Sequence, residues 1–333
     1  MHAHLYIDIA AIIAGGVHTP EPDTLALDAG GHLFYSGEFN LIHGDPESGK
    51  TWLCLATVAA ALAAGGKAAI IDLDHNGAHS IIDRLQQLGV DNDTLADHDR
   101  FRLAEPDTAG ELQQVITDLC QFGPNVVTID SLGEVLPLFG ANSNNADDFT
   151  RVHAAVISPL AKAGVAVLAV DHLPKNADSR QFGPTGTNAK NRAVGGTSVR
   201  VTNTHPFVPG HGGAATLELF KDRHGGIRQH LPTPNSGKSV IGTFTLSADE
   251  ETGNLHYTIT QDGTGHSAAK SGRDMETDVL TLMEKHEQGI NITVNSARMA
   301  LGCSQKHAME AVRLFKIEST PTVPRTRPSG GQG

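Results

Sequence analysis

Eight residues, Gly44-Asp45-Pro46-Glu47-Ser48-Gly49-Lys50-Thr51, satisfy the pattern G-x-x-x-x-G-K-[ST]. They stand between an apolar stretch, Phe39–Ile42, and an Ala/Leu-rich stretch, Thr51–Ala64, that ends at Gly65-Gly66. That order dictates a strand, a tight turn and a helix. Glycines in such a turn let backbone N–H groups point inward and cradle phosphates, and the helix N-terminus adds its dipole. Lys50 places a cation on the β- and γ-phosphates, and the Thr51 hydroxyl is a ligand for Mg²⁺. The expected nucleotide contacts are Gly44, Asp45, Pro46, Glu47, Ser48, Gly49, Lys50, Thr51 and Trp52.

A strand-to-helix corner is one unit of an α/β sheet, and the chain repeats it. Ala68–Leu73, Val126–Ile129 and Val165–Val170 are continuous apolar runs, as buried parallel strands are. Between them Ser80–Leu88, Ala109–Phe122 and Asp148–Ala163 carry helical periodicity. A further strand, Leu33-Phe34-Tyr35, precedes the loop. This alternation predicts a parallel sheet flanked by helices with right-handed crossovers. Beyond it, Asn176–Gly196 reads as a long functional loop. Ser198–Asn203, Ala215–Phe220, Ile241–Leu246 and Leu255–Thr260 read as β segments of a C-terminal extension. The expected division is residues 1–265, a helical module over 273–317 and a Pro/Gly/Ser-rich, disordered tail over 318–333.

Two carboxylates at strand ends point to chemistry. In Asn125-Val126-Val127-Thr128-Ile129-Asp130 an acid closes a buried apolar strand, which is costly without a partner. With the loop about eighty residues upstream, Mg²⁺ held by Thr51 and Asp130 is favoured over a helix N-cap assisted by Ser131. In Asp72-Leu73-Asp74 the better placed acid is Asp74, a candidate general base beside the γ-phosphate. Asp72 reads as structural. A solvated run, Asp74-His75-Asn76-Gly77, is the plain alternative.

Charge and cysteine content bound the remainder. The net charge of −12 disfavours nucleic acid taken whole. Residues 151–230, however, hold ten Lys and Arg against four Asp and Glu, and a basic segment binds phosphate backbone locally. The three cysteines form no C-x-x-C pair, which fits free thiols in a reducing cytoplasm. No apolar run reaches the ~20 residues of a membrane span. Leu5–Ala14 is short, contains Asp8 and lacks a preceding Lys or Arg, a poor signal peptide. Ser329-Gly330-Gly331-Gln332 lies too far from Asp130 to be an ABC signature, and no N-K-x-D of a GTPase is present.

The loop with its glutamate resembles those of RecA-like ATPases, as do Ile71-Asp72-Leu73-Asp74 and Asp130-Ser131-Leu132-Gly133-Glu134. The combination resembles the AAA_25 group, which includes plasmid RepA-type hexameric helicases. Val170-Asp171-His172-Leu173-Pro174-Lys175 is similar to that family's next core strand and sensor turn. Lys221-Asp222-Arg223-His224-Gly225-Gly226 is similar to its hairpin of trans-acting residues. The resemblance covers about residues 30–262. It implies a homo-oligomeric ring, usually a hexamer, with ATP at subunit interfaces. Lys221 and Arg223 would reach a neighbour's γ-phosphate, and His172 would sense it; a core histidine and a solvated hairpin are the plain alternatives. Where relatives commonly carry a catalytic Glu this chain has Asp74, one methylene shorter, with Glu47 as a backup base.

In such rings the loop at Asn176–Gly196 faces the channel, so Arg180, Lys190 and Arg192 are expected on a single-stranded DNA backbone. Met275–His286, Ser296–Leu301 and Ser304–Phe315 read as three helices. The last two resemble a helix-turn-helix with Lys306 and Arg313 toward DNA, or a protein-docking module. The reading is an ATP- and Mg²⁺-dependent motor on single-stranded DNA, a RepA-like replicative helicase with replication proteins as partners. The alternatives are a RecA-like recombination ATPase and a DNA-binding regulatory ATPase.

Overall fold

The structure is a computed structural model. It describes residues 7–174, 183–231, 239–249 and 252–261, with a few positions between 279 and 297 and the helix Gln305–Glu318. Arg180, the linker Gly263–Gly272, the tail and the side chain of Lys306 lie outside the described residues. The chain divides into two compact units, Met1–Gly265 and His266–Gly333. Among the described residues no helix is long and apolar enough to cross a membrane.

The first unit opens with α1 (Ile9–Ala14) and a small antiparallel pair, β1 (Thr24–Ala26) and β2 (His32–Phe34). Then follow β3 (Phe39–Gly44), α2 (Lys50–Ala63), β4 (Ala68–Asp72), α3 (Ala78–Gln87), α4 (Asn92–Ala96) and β5 (Phe101–Ala104). Next come α5 (Ala109–Phe122), β6 (Val126–Asp130), α6 (Leu132–Leu138), α7 (Ala146–Lys162) and β7 (Ala166–His172). The last elements are α8 (Ala189–Ala193), β8 (Thr197–Val208), β9 (Gly212–Asp222), β10 (Ser239–Ala248) and β11 (Leu255–Thr260). Nine strands form one sheet in the order β11-β10-β9-β8-β3-β7-β6-β4-β5. From β8 to β5 neighbours are parallel, and from β8 to β11 they are antiparallel. The expected β-rich extension continues the central sheet.

Period-2 alternation assigns the two faces. On one face Ile42, Ile70, Leu168 and Val170 pack with Leu53 of α2 and Ile81 and Leu85 of α3. On the other, Leu41, Ile71, Ile129 and Val167 pack with residues of α5, α6 and α7. Local chemistry fixes the helix ends. Thr108 and Glu111 form a capping box at α5, and Gly123 ends it in the left-handed region. Asn145 accepts from Asp147 and Asp148 N–H at the start of α7.

The second unit has its own small core, where Val279, Leu282, Ile292 and Ala297 pack with Ala311, Val312 and Phe315. Its helix Gln305–Glu318 covers most of the expected Ser304–Phe315.

Candidate functional site

Strand order carries the ends of β3, β4, β6 and β7 to one edge of the sheet, where α/β sheets bind ligands. Register brings Gly44 opposite His172 and Asp72 opposite Asp130. The phosphate-binding loop leaves β3 there. Two glycines in it are sterically required. A Cβ on Gly44 would meet the Val201 carbonyl oxygen at 2.4 Å, and one on Gly49 would meet the Phe207 ring at 2.3 Å. Gly49 also has φ +97°, a left-handed geometry that favours glycine.

Lys50 is 5% exposed. Its ammonium donates to the Gly44 and Asp45 carbonyl oxygens at 3.2 and 2.7 Å. Burial draws its pKa below the ordinary lysine value, against the pull of Asp130, Asp74 and Asp45. A buried cation resting on its own loop's carbonyls is poised for an anion. The buried Ser48 hydroxyl has no protein partner, so the loop also holds an unused donor.

Thr51 Oγ1 donates to Asp130 Oδ2 at 2.8 Å. Burial pushes Asp130 up to about 6, opposed by the Thr51 hydrogen bond. Two hard oxygens meeting at one point suit Mg²⁺, which binds through one or two protein oxygens plus phosphate and water. Among the described residues no cluster of three His, Cys, Asp or Glu forms a preformed metal cage, and a Mg²⁺ site of this kind needs none.

Asp74 accepts from Ser131 Oγ at 2.8 Å, and His172 Nε2 lies 3.5 Å from its other oxygen. The His172 hydrogen bond, then that of Ser131, holds Asp74 below the usual carboxylate value against burial. The same bond raises His172 above the usual imidazole value. The structure thus brings together Lys50, Thr51, Asp74, Asp130 and His172. Asp72 stands beside Asp130 in register, but its carboxylate accepts from Asn76 Nδ2 and the Gly77 N–H at 2.9 and 3.0 Å and fixes the start of α3.

A cleft of about 690 Å³ opens along the loop, walled by Trp52 and Arg84 on one side and Asn203, Pro206, Phe207 and Pro209 on the other. The Arg84 guanidinium lies over the Trp52 ring, 5.4 Å from its centroid. Asn203 Nδ2 donates to the Glu47 carbonyl at 3.1 Å and ties the β8–β9 hairpin to the loop. Arg84 and Phe207 carry no motif in the sequence; only folding places them here.

The remaining expected residues lie elsewhere. Lys221 pairs with Ser198, three residues before the Val201 that faces Gly44, roughly 10 Å along the strand. Its ammonium donates to the carbonyls of Asn191, Arg192 and Val194 at 2.7, 3.2 and 2.8 Å. Arg223 is exposed at the same end of β9. The expectation that Lys190 contacts DNA is corrected. Lys190 is 1% exposed and its ammonium sits 2.6 Å from Asp171 Oδ2, so it is internal to the fold. The signal for this was an acid inside a buried strand, Val170-Asp171. Arg192 is exposed in the last turn of α8, and Arg313 is exposed on the C-terminal helix.

A family model described as AAA domain, AAA_25, matches residues 12–178. The chain is 30% identical over 161 residues to Protein RecA of Porphyromonas gingivalis, covering 47% of this chain and 42% of that protein. Protein RecA of Mycobacterium ulcerans is 32% identical over 118 residues, 35% of this chain and 32% of the relative. The chain thus spans less than half the length of these curated relatives.

Proposed function

The chain belongs to the AAA_25 family and is a RecA-like P-loop ATPase, and from that premise we propose an ATP-driven motor on single-stranded DNA, a replicative helicase of the RepA kind. The observation that carries this reading is the separation between Arg223 and the chain's own phosphate-binding loop. Asp74 and His172 pair beside Lys50, while the exposed Arg223 stands at the far end of β9. Arg84 stands in the cleft wall over Trp52, and Arg223, too far along β9 to reach this loop, would complete the site of a neighbouring copy. That supports a ring with ATP between subunits.

In this reading Lys50 and the inward N–H groups hold the β- and γ-phosphates. Mg²⁺, held by Thr51 and Asp130, would supply charge neutralisation on the phosphate oxygens. Asp74 accepts the proton of the attacking water. His172, bonded to Asp74, orients that carboxylate. Arg223 of the neighbouring copy stabilises the charge that develops in the transition state, an effect of 10³–10⁵ in rate for fingers of this type. Lys221 in the structure braces α8 instead, so Arg223 bears that role first.

The strand end at His172 also connects to the basic loop. Asp171, its chain neighbour, holds Lys190 of α8, and α8 carries Arg192. Arg192 then follows the state of the phosphate site and grips the strand's backbone, with Arg180 of the same loop as a further proposed contact. Arg313 on the C-terminal helix, and Lys306 seven residues before it, provide a second DNA contact in this reading.

The matched RecA proteins favour one rival, a recombination ATPase that coats DNA. Electron microscopy with single-stranded DNA and a non-hydrolysable ATP analogue, joined to a strand-displacement assay, separates them. Rings with displacement support the motor. Filaments with annealing alone, or sequence-specific duplex binding without either assembly, sink it.

A further inference from the structure

Arg223 is exposed, yet the turn that carries it is held at three successive residues. The Asp222 carboxylate accepts from four donors. One oxygen takes the Tyr35 hydroxyl at 2.6 Å and the Gly225 N–H at 3.1 Å. The other takes the Ile227 and Arg228 N–H groups, both at 3.0 Å. The Arg223 N–H donates to the Gly196 carbonyl at 3.1 Å. His224 packs its ring 5.3 Å from that of Tyr35 and reaches Glu38 Oε1 at 3.4 Å. The Tyr35 hydroxyl also accepts from the Gly226 N–H at 3.0 Å.

Tyr35 itself is 1% exposed and sits between β2 and β3, four residues before the strand that leads into the phosphate-binding loop. A buried hydroxyl that donates once and accepts once is fully used. Burial and the Asp222 carboxylate both push its pKa above the ordinary tyrosine value, so the proton stays on the hydroxyl. The turn Asp222–Arg228 is therefore fastened to the core, while the Arg223 side chain between the fastenings is left to solvent. Surface turns usually need no such anchor to the core. A long, charged side chain meant to reach a second molecule does, because misplacement by about 1 Å can cost 10²-fold in rate.

We propose that Tyr35 and Asp222 are positioning residues for Arg223, holding it in register for the phosphate site of an adjacent copy of this chain. This rests on the reading of Arg223 as a trans-acting group. It adds a coupling, because the β2–β3 connection that anchors the turn also leads into the subunit's own phosphate-binding loop.

The test uses full-length Tyr35→Phe, which keeps the ring and removes the hydroxyl, and Asp222→Asn, which removes an acceptor oxygen. Each is assayed for DNA-stimulated ATP hydrolysis alone and mixed with full-length Lys50→Ala. The expected result is kcat lower by roughly 10- to 100-fold with KM for ATP unchanged. Mixing should return part of the activity, since a Lys50→Ala subunit still presents an intact Arg223 to its neighbour. Unchanged kcat in both variants overturns the proposal. So does a loss that mixing never relieves, or one carried by KM, since either places the effect in the variant's own phosphate site. Arg223→Ala in the same mixtures is the control. If Arg223→Ala keeps full turnover or is never rescued, the shared-site reading itself has failed. If it is rescued while Tyr35→Phe is silent, only the positioning role has.

Discussion

The Thr51 hydroxyl donates to Asp130 Oδ2 across 2.8 Å, joining the first turn of α2 to the end of β6. Both are hard oxygens of the kind Mg²⁺ takes. Asp130→Asn keeps an oxygen acceptor for Thr51 but removes the charge. The expected outcome is a loss of hydrolysis on the order of 10²-fold or more, the several kcal/mol that a metal contributes. Phosphate release measured across a Mg²⁺ titration checks it. An Asp130→Asn rate equal to the parent's at saturating Mg²⁺ would remove Asp130 from the metal site.

Lys50→Ala removes the single cation inside the loop. Turnover should vanish, and calorimetry should show MgATP affinity weakened by tenfold or more, since hydrogen bonds from charged groups are worth about 1.5–3 kcal/mol. Normal hydrolysis in this variant would refute the site as a whole.

Asp74 and His172 are expected to titrate as a pair. His172 is raised above 6.5 and Asp74 lowered below 3.8. A raised histidine contributes stability that is complete below pH ~6.5 and is lost as pH climbs through its folded value. A lowered aspartate contributes above pH ~3.8 and loses that as pH falls through its folded value. The mutual attraction thus spans the window between the two folded values. Both groups are partly exposed, so solvent screens it. NMR of the His172 ring should place its midpoint above the ordinary value in the parent and lower in Asp74→Asn. Asp74→Asn should also slow hydrolysis by roughly 10²–10⁴, the usual range for a general base. A His172 midpoint that ignores Asp74→Asn would dissolve the pair.

Lys190 and Asp171 show where sequence reasoning reaches its limit. The loop motif, the strands at Phe39, Ala68 and Val126 and the helix Ala109–Phe122 were legible because buried parallel strands and capped helices obey short-range rules. Asp130 stood out because a charge closing a buried apolar strand is anomalous, and Asp74 because it follows the next strand end. A lysine in a Gly/Asn-rich stretch obeys no such rule. Nothing local distinguishes a lysine that faces solvent from one that folds back onto a strand nineteen residues earlier. The same holds for Tyr35 with Asp222, 187 residues apart, and for Arg84 and Phe207 in the cleft. The short β5 and α4 were missed as well; both are brief, and β5 has only one fully buried residue.

The buried pair makes its own prediction. Lys190→Met leaves the Asp171 carboxylate 2% exposed and unpaired, which should cost about 3–5 kcal/mol in urea unfolding. Replacing both, as Lys190→Met with Asp171→Leu, should recover most of that. Equal losses in the single and double variants would mean that the pair is not coupled in the folded state.

Trp52 offers a direct view of nucleotide entry. It is the chain's one tryptophan, follows Thr51 in the first turn of α2, and lies under the Arg84 guanidinium in the cleft. In the proposed reading Asp74, Asp130 and His172 take the γ-phosphate end, so the base of a bound nucleotide would extend the other way, between Arg84 and the hairpin prolines. Stacking there changes the indole's surroundings, and the triphosphate alone does not reach it. MgATP should therefore shift or quench Trp52 emission, while magnesium tripolyphosphate, bound at the same loop, should leave it nearly unchanged. Arg84→Ala should weaken MgATP binding by several-fold, about the 0.5–2 kcal/mol of a cation–π contact, and leave tripolyphosphate binding as it was. An equal emission change with both ligands would place the base outside this cleft.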